Sequence, residues 1–191
     1  QIKIFATIIG RPSHAGLAPE EGISAIQVAA KGIAKMNLLR IDEETTCNIG
    51  TLKSEYATNI VPEKAELVAE VGSRNLDKLN AQAAHMRKCL QDACDEMGAK
   101  LEIELKTNYV SFHVENDDPM VQRVFESCRR IGCEASTAKG GGGSDANVMA
   151  LHGIKPIVLS TGMTKVHTTS ETLKIENLNR CAELVLDLMT H

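Results

Sequence analysis

The fold is decided by the opening stretch Ile2-Lys3-Ile4-Phe5-Ala6-Thr7-Ile8, in which every even-numbered position is aliphatic. Because successive side chains of a strand point to opposite faces, this period of two predicts a β-strand over residues 2–12. Pro12 ends the pattern. From Ile23 onward the apolar residues recur at helical spacing and predict an amphipathic helix over residues 22–37.

The segments that follow complete a β-α-β-β-α-β order over residues 1–112. Two further strands are predicted over residues 45–55 and 65–73. A long apolar helical stripe comes next and stops at Gly98, and residues 101–105 then alternate between apolar and charged. This order predicts the split βαβ, or ferredoxin-like, arrangement: a four-stranded antiparallel sheet with two helices on one face.

Residues 113–191 follow a different pattern, in which helices alternate with short apolar runs. Three helices are predicted, two of them ending near Gly132 and Gly153. Strands are predicted at 133–138 and 156–160, and the second is apolar throughout, as expected for a strand buried on both faces. Such alternation is typical of an α/β domain with a parallel sheet.

Composition and charge exclude several classes of partner. The 191 residues carry 21 Lys and Arg against 25 Asp and Glu, a net charge of −4, with no basic run. Phosphate binding needs clustered basic residues, so no nucleic acid is expected. No apolar run approaches the ~18 residues of a membrane span, and no membrane partner is expected.

The cysteines and the start of the chain indicate its origin. The six cysteines contain no C-x-x-C pair and no leader is visible, which favours reduced thiols and a cytoplasmic location. The first residue is not Met and lies within a predicted strand. We therefore expect the chain to be a piece of a longer protein.

A run of four glycines, Gly140–Gly143, precedes Ser144 and Asp145 at a predicted helix start. Convergent backbone N–H groups at a helix N-terminus favour an anion. The run lacks the Lys of a P-loop and the third glycine of a dinucleotide fingerprint. Two interpretations stay open: a nest for a small carboxylate, or a flexible turn without a ligand.

A second candidate is His167, which follows the predicted strand at 156–160. Parallel sheets bind ligands at the carboxyl ends of their strands. A neutral imidazole there suits zinc, with Glu171 or a hydroxyl orienting it; the alternative is a solvated loop histidine. A catalytic zinc needs about three protein ligands, and the sequence offers one. Either the zinc interpretation is wrong or the other ligands are absent from this chain.

Three residues of the first half complete the candidates. His14 lies in Gly10-Arg11-Pro12-Ser13-His14-Ala15-Gly16, just beyond the first strand, where an imidazole can equally cap the following turn. Asn59 can hydrogen-bond a carbonyl oxygen of a substrate, or it can have only a structural role in the turn before Pro62. Arg74 ends a predicted strand, where a solvated charge is the default.

Four segments together resemble one family, the zinc metallopeptidases that include peptidase T-like tripeptidases, glutamate carboxypeptidase and aminoacylase. They occur in family order across almost the whole chain and are Gly10–Gly16, Asn59–Pro62, Gly141-Gly142-Gly143-Ser144-Asp145-Ala146-Asn147 and Val166-His167-Thr168-Thr169-Ser170-Glu171. The tetraglycine and His-Thr-Thr forms are most similar to the tripeptidase branch.

The resemblance implies an α/β catalytic domain that carries two zinc ions and is interrupted by a β-α-β-β-α-β domain. Residues 1–112 would then be a ferredoxin-like dimerisation (lid) domain, and residues 113–191 the C-terminal part of the catalytic domain. A homodimer formed through the first domain and a short peptide substrate are expected. The family's other zinc ligands and its glutamate base precede the dimerisation domain, so the chain alone is expected to be inactive.

The resemblance also assigns site residues. His167 would be the last zinc ligand, with Glu171 behind it. His14 would reach into the partner subunit's site and stabilise the tetrahedral oxyanion. The expected substrate contacts are Asn59 to the carbonyl oxygen, Arg74 to the carboxylate, and the backbone N–H groups of Gly141, Gly142 and Gly143.

Two alternatives remain beside this interpretation. One is a non-catalytic ferredoxin-like dimerisation or binding module. The other is an aminoacylase or carboxypeptidase of the same family.

Overall fold

The computed structural model describes all 191 residues, which form two compact units, Gln1–Ser111 and Phe112–His191. The first unit carries a sheet and two long helices, and the second carries helices and loops.

The first unit is one antiparallel sheet with two helices. Its strands run in the order β2-β3-β4-β1-β5. Without the two-residue β2, this is the split βαβ order, so the predicted fold is confirmed. The fifth strand was not predicted, because two residues carry no periodicity. In chain order the elements are β1 (Ile2–Ile9), α1 (Ala25–Ala34), β2 (Leu39–Arg40), β3 (Thr45–Lys53), β4 (Lys64–Ser73), α2 (Leu76–Met97) and β5 (Lys100–Thr107).

The core of this unit lies between one face of the sheet and the two helices. Ile4 and Ile8 of β1 are fully buried, whereas Phe5 between them is 39% exposed on the other face. Leu90 of α2 is buried in the same core, and burial of each such side chain contributes about 1.5–3 kcal/mol. The helices approach closely at Gly32 of α1, where a Cβ atom would lie 3.0 Å from Leu90 Cδ2. The packed core therefore fixes the strands from which the loops at the two ends of the sheet emerge.

Helix α2 begins and ends where the sequence predicts. The side-chain oxygen of Asn75 accepts hydrogen bonds from the backbone N–H groups of Asp77 and Lys78, which satisfies two donors of the first turn. Gly98 ends the helix with φ of 70°, the left-handed conformation that favours glycine.

The second unit contains three helices: α3 (Pro119–Arg130), α4 (Asp145–Leu151) and α5 (Ile175–Thr190). The strands predicted at 133–138 and 156–160 are not formed, and that part of the prediction is wrong. Val158 is 61% exposed rather than buried. A strand needs a hydrogen-bonded neighbour, and this unit supplies none to either segment.

Few side chains of the second unit are buried, although α3 and α5 are joined. Both carboxylate oxygens of Asp187 accept from Arg130 Nε, at 3.1 and 2.9 Å. Apolar residues such as Ile175 and Met189 are 76% and 80% exposed, so this unit presents apolar surface. Across both units, no helix combines the length and apolar character needed to cross a bilayer.

Candidate functional site

The loops that carry His14 and Asn59 lie side by side at one end of the sheet. The backbone N–H of Ala15 donates to the carbonyl of Asn59 at 2.9 Å, and His14 forms an isolated antiparallel bridge with Ile60. The loops meet because β1 and β4, which precede and follow them, are paired along their whole length. The structure therefore brings two of the predicted site residues together.

The start of the His14 loop is fixed by a close backbone approach at Gly10. A Cβ atom on Gly10 would lie only 2.0 Å from the carbonyl oxygen of Ile23. Arg11 and Ile23 then exchange two backbone hydrogen bonds, at 3.0 and 2.8 Å. Only glycine permits this approach, so the loop leaves β1 in one direction.

The imidazole of His14 is held by its own turn. Its Nδ1 accepts hydrogen bonds from the backbone N–H groups of Gly16 and Leu17, at 3.1 and 3.2 Å. An accepting Nδ1 places the proton of the neutral ring on Nε2. The histidine does cap the following turn, as one interpretation of the sequence had it, and its exposed ring keeps an N–H donor without a protein partner.

The side chain of Asn59 is also free. Its backbone carbonyl is engaged by Ala15, whereas its exposed amide group makes no hydrogen bond within the chain. Two polar groups that can donate hydrogen bonds, an imidazole N–H and an amide N–H, thus occur on two adjacent loops.

Arg74 lies at the opposite end of the sheet from these loops. The ten residues of β4, Lys64–Ser73, separate it from the Asn59 turn, a span of about 30 Å at ~3.3 Å per residue. Its Nη2 donates to the carbonyl of Glu43 at 3.3 Å, and its backbone carbonyl accepts from Ser111 Oγ at 3.1 Å. The structure does not bring Arg74 together with His14 and Asn59 of the same chain.

The glycine run is exposed and unconstrained. Around Gly140, Gly141 and Gly142 nothing lies within 4 Å of the position a Cβ atom would take. None of the residues from Gly140 to Gly143 has a positive φ. Helix α4 follows, with the N–H of Ser144 donating to Asn147 Oδ1 at 3.0 Å. Both interpretations of the run, a carboxylate nest and a flexible turn, stay open.

The loop of His167 is closed by an antiparallel bridge between Thr164 and Thr172, whose backbone hydrogen bonds are 3.0 and 3.2 Å. His167 itself has φ of 64°. Glu171 Oε2 accepts from the backbone N–H of His167 at 2.7 Å, and no hydrogen bond joins it to the ring. The carboxylate of Glu171 therefore holds the main chain of the loop.

Residues 2–98 match the model of the peptidase dimerisation domain of M20 peptidases. This chain belongs to the M20 peptidase family. It is 40% identical over 189 residues to the uncharacterized protein YqjE of Bacillus subtilis, covering 99% of this chain and 51% of that protein.

Solved structures of M20 peptidases are similar throughout the chain. The aminopeptidase PepT of Bacillus cereus superposes with a TM-score of 0.82 at 42% identity, covering 98% of this chain and 50% of that one. A tripeptidase of Staphylococcus aureus superposes with a TM-score of 0.87 at 38% identity, covering 98% of this chain and 50% of that one. The M20 chain described here spans about half the length of these relatives.

M20 peptidases are metal-dependent, and a catalytic metal ion needs about three protein side chains close together. No three or more of the His, Cys, Asp and Glu side chains of this M20 chain lie together in a way that could hold a metal ion. The thiols of Cys47 and Cys94 are buried, and burial raises their pKa, which disfavours the thiolate that metals bind. The residues present do not make up a metal site, and His167 is at most one ligand of such a site.

Proposed function

We propose that this chain is the dimerisation domain and the C-terminal part of the catalytic domain of a cytoplasmic, zinc-dependent peptidase that hydrolyses short peptides, as a tripeptidase or aminopeptidase does. The observation that carries the proposal is the ring of His14, which two backbone N–H groups hold so that Nε2–H remains free, on a loop that is hydrogen-bonded to the loop of Asn59. Two such donors suit the oxygen of a peptide carbonyl. Similarity to a tripeptidase of Staphylococcus aureus supports this substrate class.

His14 and Asn59 would act on the scissile carbonyl. As the carbonyl carbon becomes tetrahedral, its oxygen gains negative charge, and the Nε2–H and amide donors stabilise that charge more than they stabilise the neutral carbonyl. One such donor contributes on the order of 10²–10³ in kcat. The nucleophile and the proton carrier would come from outside this chain.

Arg74 would bind the carboxylate of the peptide, since a guanidinium matches a carboxylate with two parallel hydrogen bonds. A tripeptide is about 10 Å long when extended, whereas β4 separates Arg74 from the His14 loop by about 30 Å. One peptide therefore cannot contact both ends of the same chain. We infer a homodimer in which His14 and Asn59 of one subunit serve the site that uses Arg74 of the other.

The edge of β3 and the outer side of α1 suit this association. Strand β2 pairs only with Thr46 and Cys47, which leaves the rest of β3 unpaired along one edge. Ile26 of α1 is 43% exposed. An unpaired edge is a template for a second strand, and a second copy would extend the sheet across the dimer.

The second unit carries proposed site residues of its own. His167 would donate one nitrogen to zinc, with Glu171 fixing the loop that carries it. Gly141, Gly142 and Gly143 would present backbone N–H groups to the substrate. The chain alone, with one ligand, is expected to be inactive.

A substrate panel on the full-length protein tests the proposal. Purified protein reconstituted with zinc is assayed against dipeptides, tripeptides, N-acetyl amino acids and γ-glutamyl conjugates, with this chain alone as the inactive control. We expect tripeptides to give the highest kcat/KM. A preference for N-acyl amino acids would favour an aminoacylase, and a preference for C-terminal glutamate would favour a carboxypeptidase. The absence of any hydrolysis would favour the non-catalytic module.

A further inference from the structure

The guanidinium of Arg74 is held by a short loop, residues 42–44, which precedes β3. The carbonyl of Glu43 accepts from Arg74 Nη2 at 3.3 Å, and the carbonyl of Glu44 accepts from the Arg74 backbone N–H at 3.4 Å. A guanidinium has five N–H donors, so this anchor leaves most of them free for a ligand. The 42–44 loop therefore contacts both the main chain and the guanidinium of this arginine.

The 42–44 loop is itself built around Asp42. Its Oδ1 accepts from the backbone N–H groups of Glu44 and Thr45, both at 2.9 Å, which closes a turn. The hydrogen bond from Glu44, and then that from Lys78, lowers the pKa of Asp42 to about 2. Thr45 is buried and its hydroxyl contacts Ser73 Oγ at 3.0 Å. One end of the loop is thus anchored in the core.

Lys78 fastens the other side of the loop. Its Nζ lies 3.2 Å from Asp42 Oδ2 and 2.7 Å from Glu44 Oε1. Its backbone is fixed in the first turn of α2, where its N–H donates to the Asn75 side chain at 3.1 Å. An exposed pair contributes little stability alone, but here a single cation joins two carboxylates of the same loop.

We propose that Lys78 is a positioning residue for carboxylate recognition: it holds the 42–44 loop that holds Arg74, and it neutralises Asp42 and Glu44 on that loop. Without Lys78, two uncompensated negative charges accompany the arginine that receives an anionic ligand. The inference rests on the proposed role of Arg74. Sequence reasoning missed Lys78, because the residues it joins lie on separate elements and share no motif.

The test compares a tripeptide that has a free C-terminal carboxylate with the same tripeptide amidated at its C-terminus, using the full-length zinc enzyme. For Lys78→Gln we expect KM for the acid to rise about 3- to 10-fold with kcat within about twofold. The kinetics on the amide should not change, and Lys78→Arg should restore the acid KM. Lys88→Gln is the matched control, because Lys88 pairs with Asp92 on the same helix, far along the chain from Arg74.

Hydrogen exchange of the peptide containing Glu44 and Thr45 supplies a readout independent of activity. We expect faster exchange in Lys78→Gln and no change in Lys88→Gln. Unchanged exchange, or equal losses on the acid and the amide, would overturn the role of Lys78 while leaving the peptidase proposal intact. If the wild-type enzyme has the same kinetics on the acid and the amide, the proposed role of Arg74 is wrong, and so is the inference about Lys78. Hydrolysis of neither peptide refutes the proposed function itself.

Discussion

The separation of His14 from Arg74 along β4 predicts that two inactive variants restore each other. His14→Asn removes the Nε2–H donor but keeps a side-chain oxygen that can accept from the turn N–H groups. Arg74→Gln removes the carboxylate contact. Because β4 spans about 30 Å and a tripeptide about 10 Å, each site of the proposed dimer would combine His14 from one subunit with Arg74 from the other.

The size of the recovery follows from counting sites. Random exchange of two variants gives about half mixed dimers, and each mixed dimer has one site with both wild-type residues and one with neither. The mixture should therefore reach about one quarter of wild-type kcat/KM, whereas each parent falls by about 10² or more. The assay is tripeptide hydrolysis after partial denaturation and refolding of a 1:1 mixture.

A matched control pairs His14→Asn with Asn59→Ala. These residues lie on adjacent loops of the same chain, hydrogen-bonded through Ala15, and would serve the same site. Every site of their mixed dimer lacks one donor, so no recovery is expected. Recovery in this control, or activity of the first mixture no higher than the mean of its parents, would refute the assignment of the two ends of β4 to different sites.

Three further predictions concern the first unit. Gly10→Ala should destabilise it by at least about 2 kcal/mol in denaturant unfolding, because the added Cβ would lie 2.0 Å from the carbonyl oxygen of Ile23. Gly72→Ala is the control: its added Cβ would lie no closer than 3.6 Å to a non-adjacent residue, so the free energy of unfolding should change by less than about 1 kcal/mol. Leu90→Ala, at a side chain 1% exposed, should cost about 2–5 kcal/mol with little change in the denaturant m-value. Asp42 has a folded pKa of about 2, below its ordinary value, chiefly because of the Glu44 N–H. The stabilising contribution of the Asp42 carboxylate is therefore complete above about pH 4 and lost between about pH 4 and pH 2. In thermal unfolding, Asp42→Asn should lose less Tm over that range than the wild type. An equal loss of Tm would contradict the lowered pKa of Asp42.

The periodicity of apolar residues predicted the elements of the first unit because the apolar positions are the ones that are buried. Ile2, Ile4, Ala6 and Ile8 alternate with exposed or half-buried neighbours, and the same side chains form the core of the sheet. Strand β2 was missed, and Leu39 in it adopts φ of 67°, which no pattern of apolar residues encodes.

The second unit shows what periodicity leaves out. The run at 156–160 is apolar enough for a buried strand, yet it is not one, since a strand is completed by the neighbours to which its backbone bonds. An apolar run records a tendency to be buried and carries no information about which chain segment provides the burial.

The sequence singled out candidate site residues but did not predict how they are arranged. His14 and Asn59 stand out from the turn residues around them, but the hydrogen bond that joins their loops follows from the register of β1 and β4. Glu171 or a hydroxyl was expected to orient the imidazole of His167, and the structure shows Glu171 accepting a hydrogen bond from the backbone N–H of His167. The 42–44 loop gave no signal, because its partners Arg74 and Lys78 lie about thirty residues away in the sequence.

The length of β4 has a consequence for how such an enzyme can change over time. In the proposed dimer, the distance between the two catalytic centres is set by the number of residues in this strand and not by the loops at its ends. A single inserted residue would turn the core side chains of β4 beyond it outward unless a bulge absorbed it, so changes that keep the burial pattern come in two-residue steps of about 6.6 Å. The loops at either end remain free to alter specificity while the centres keep their separation.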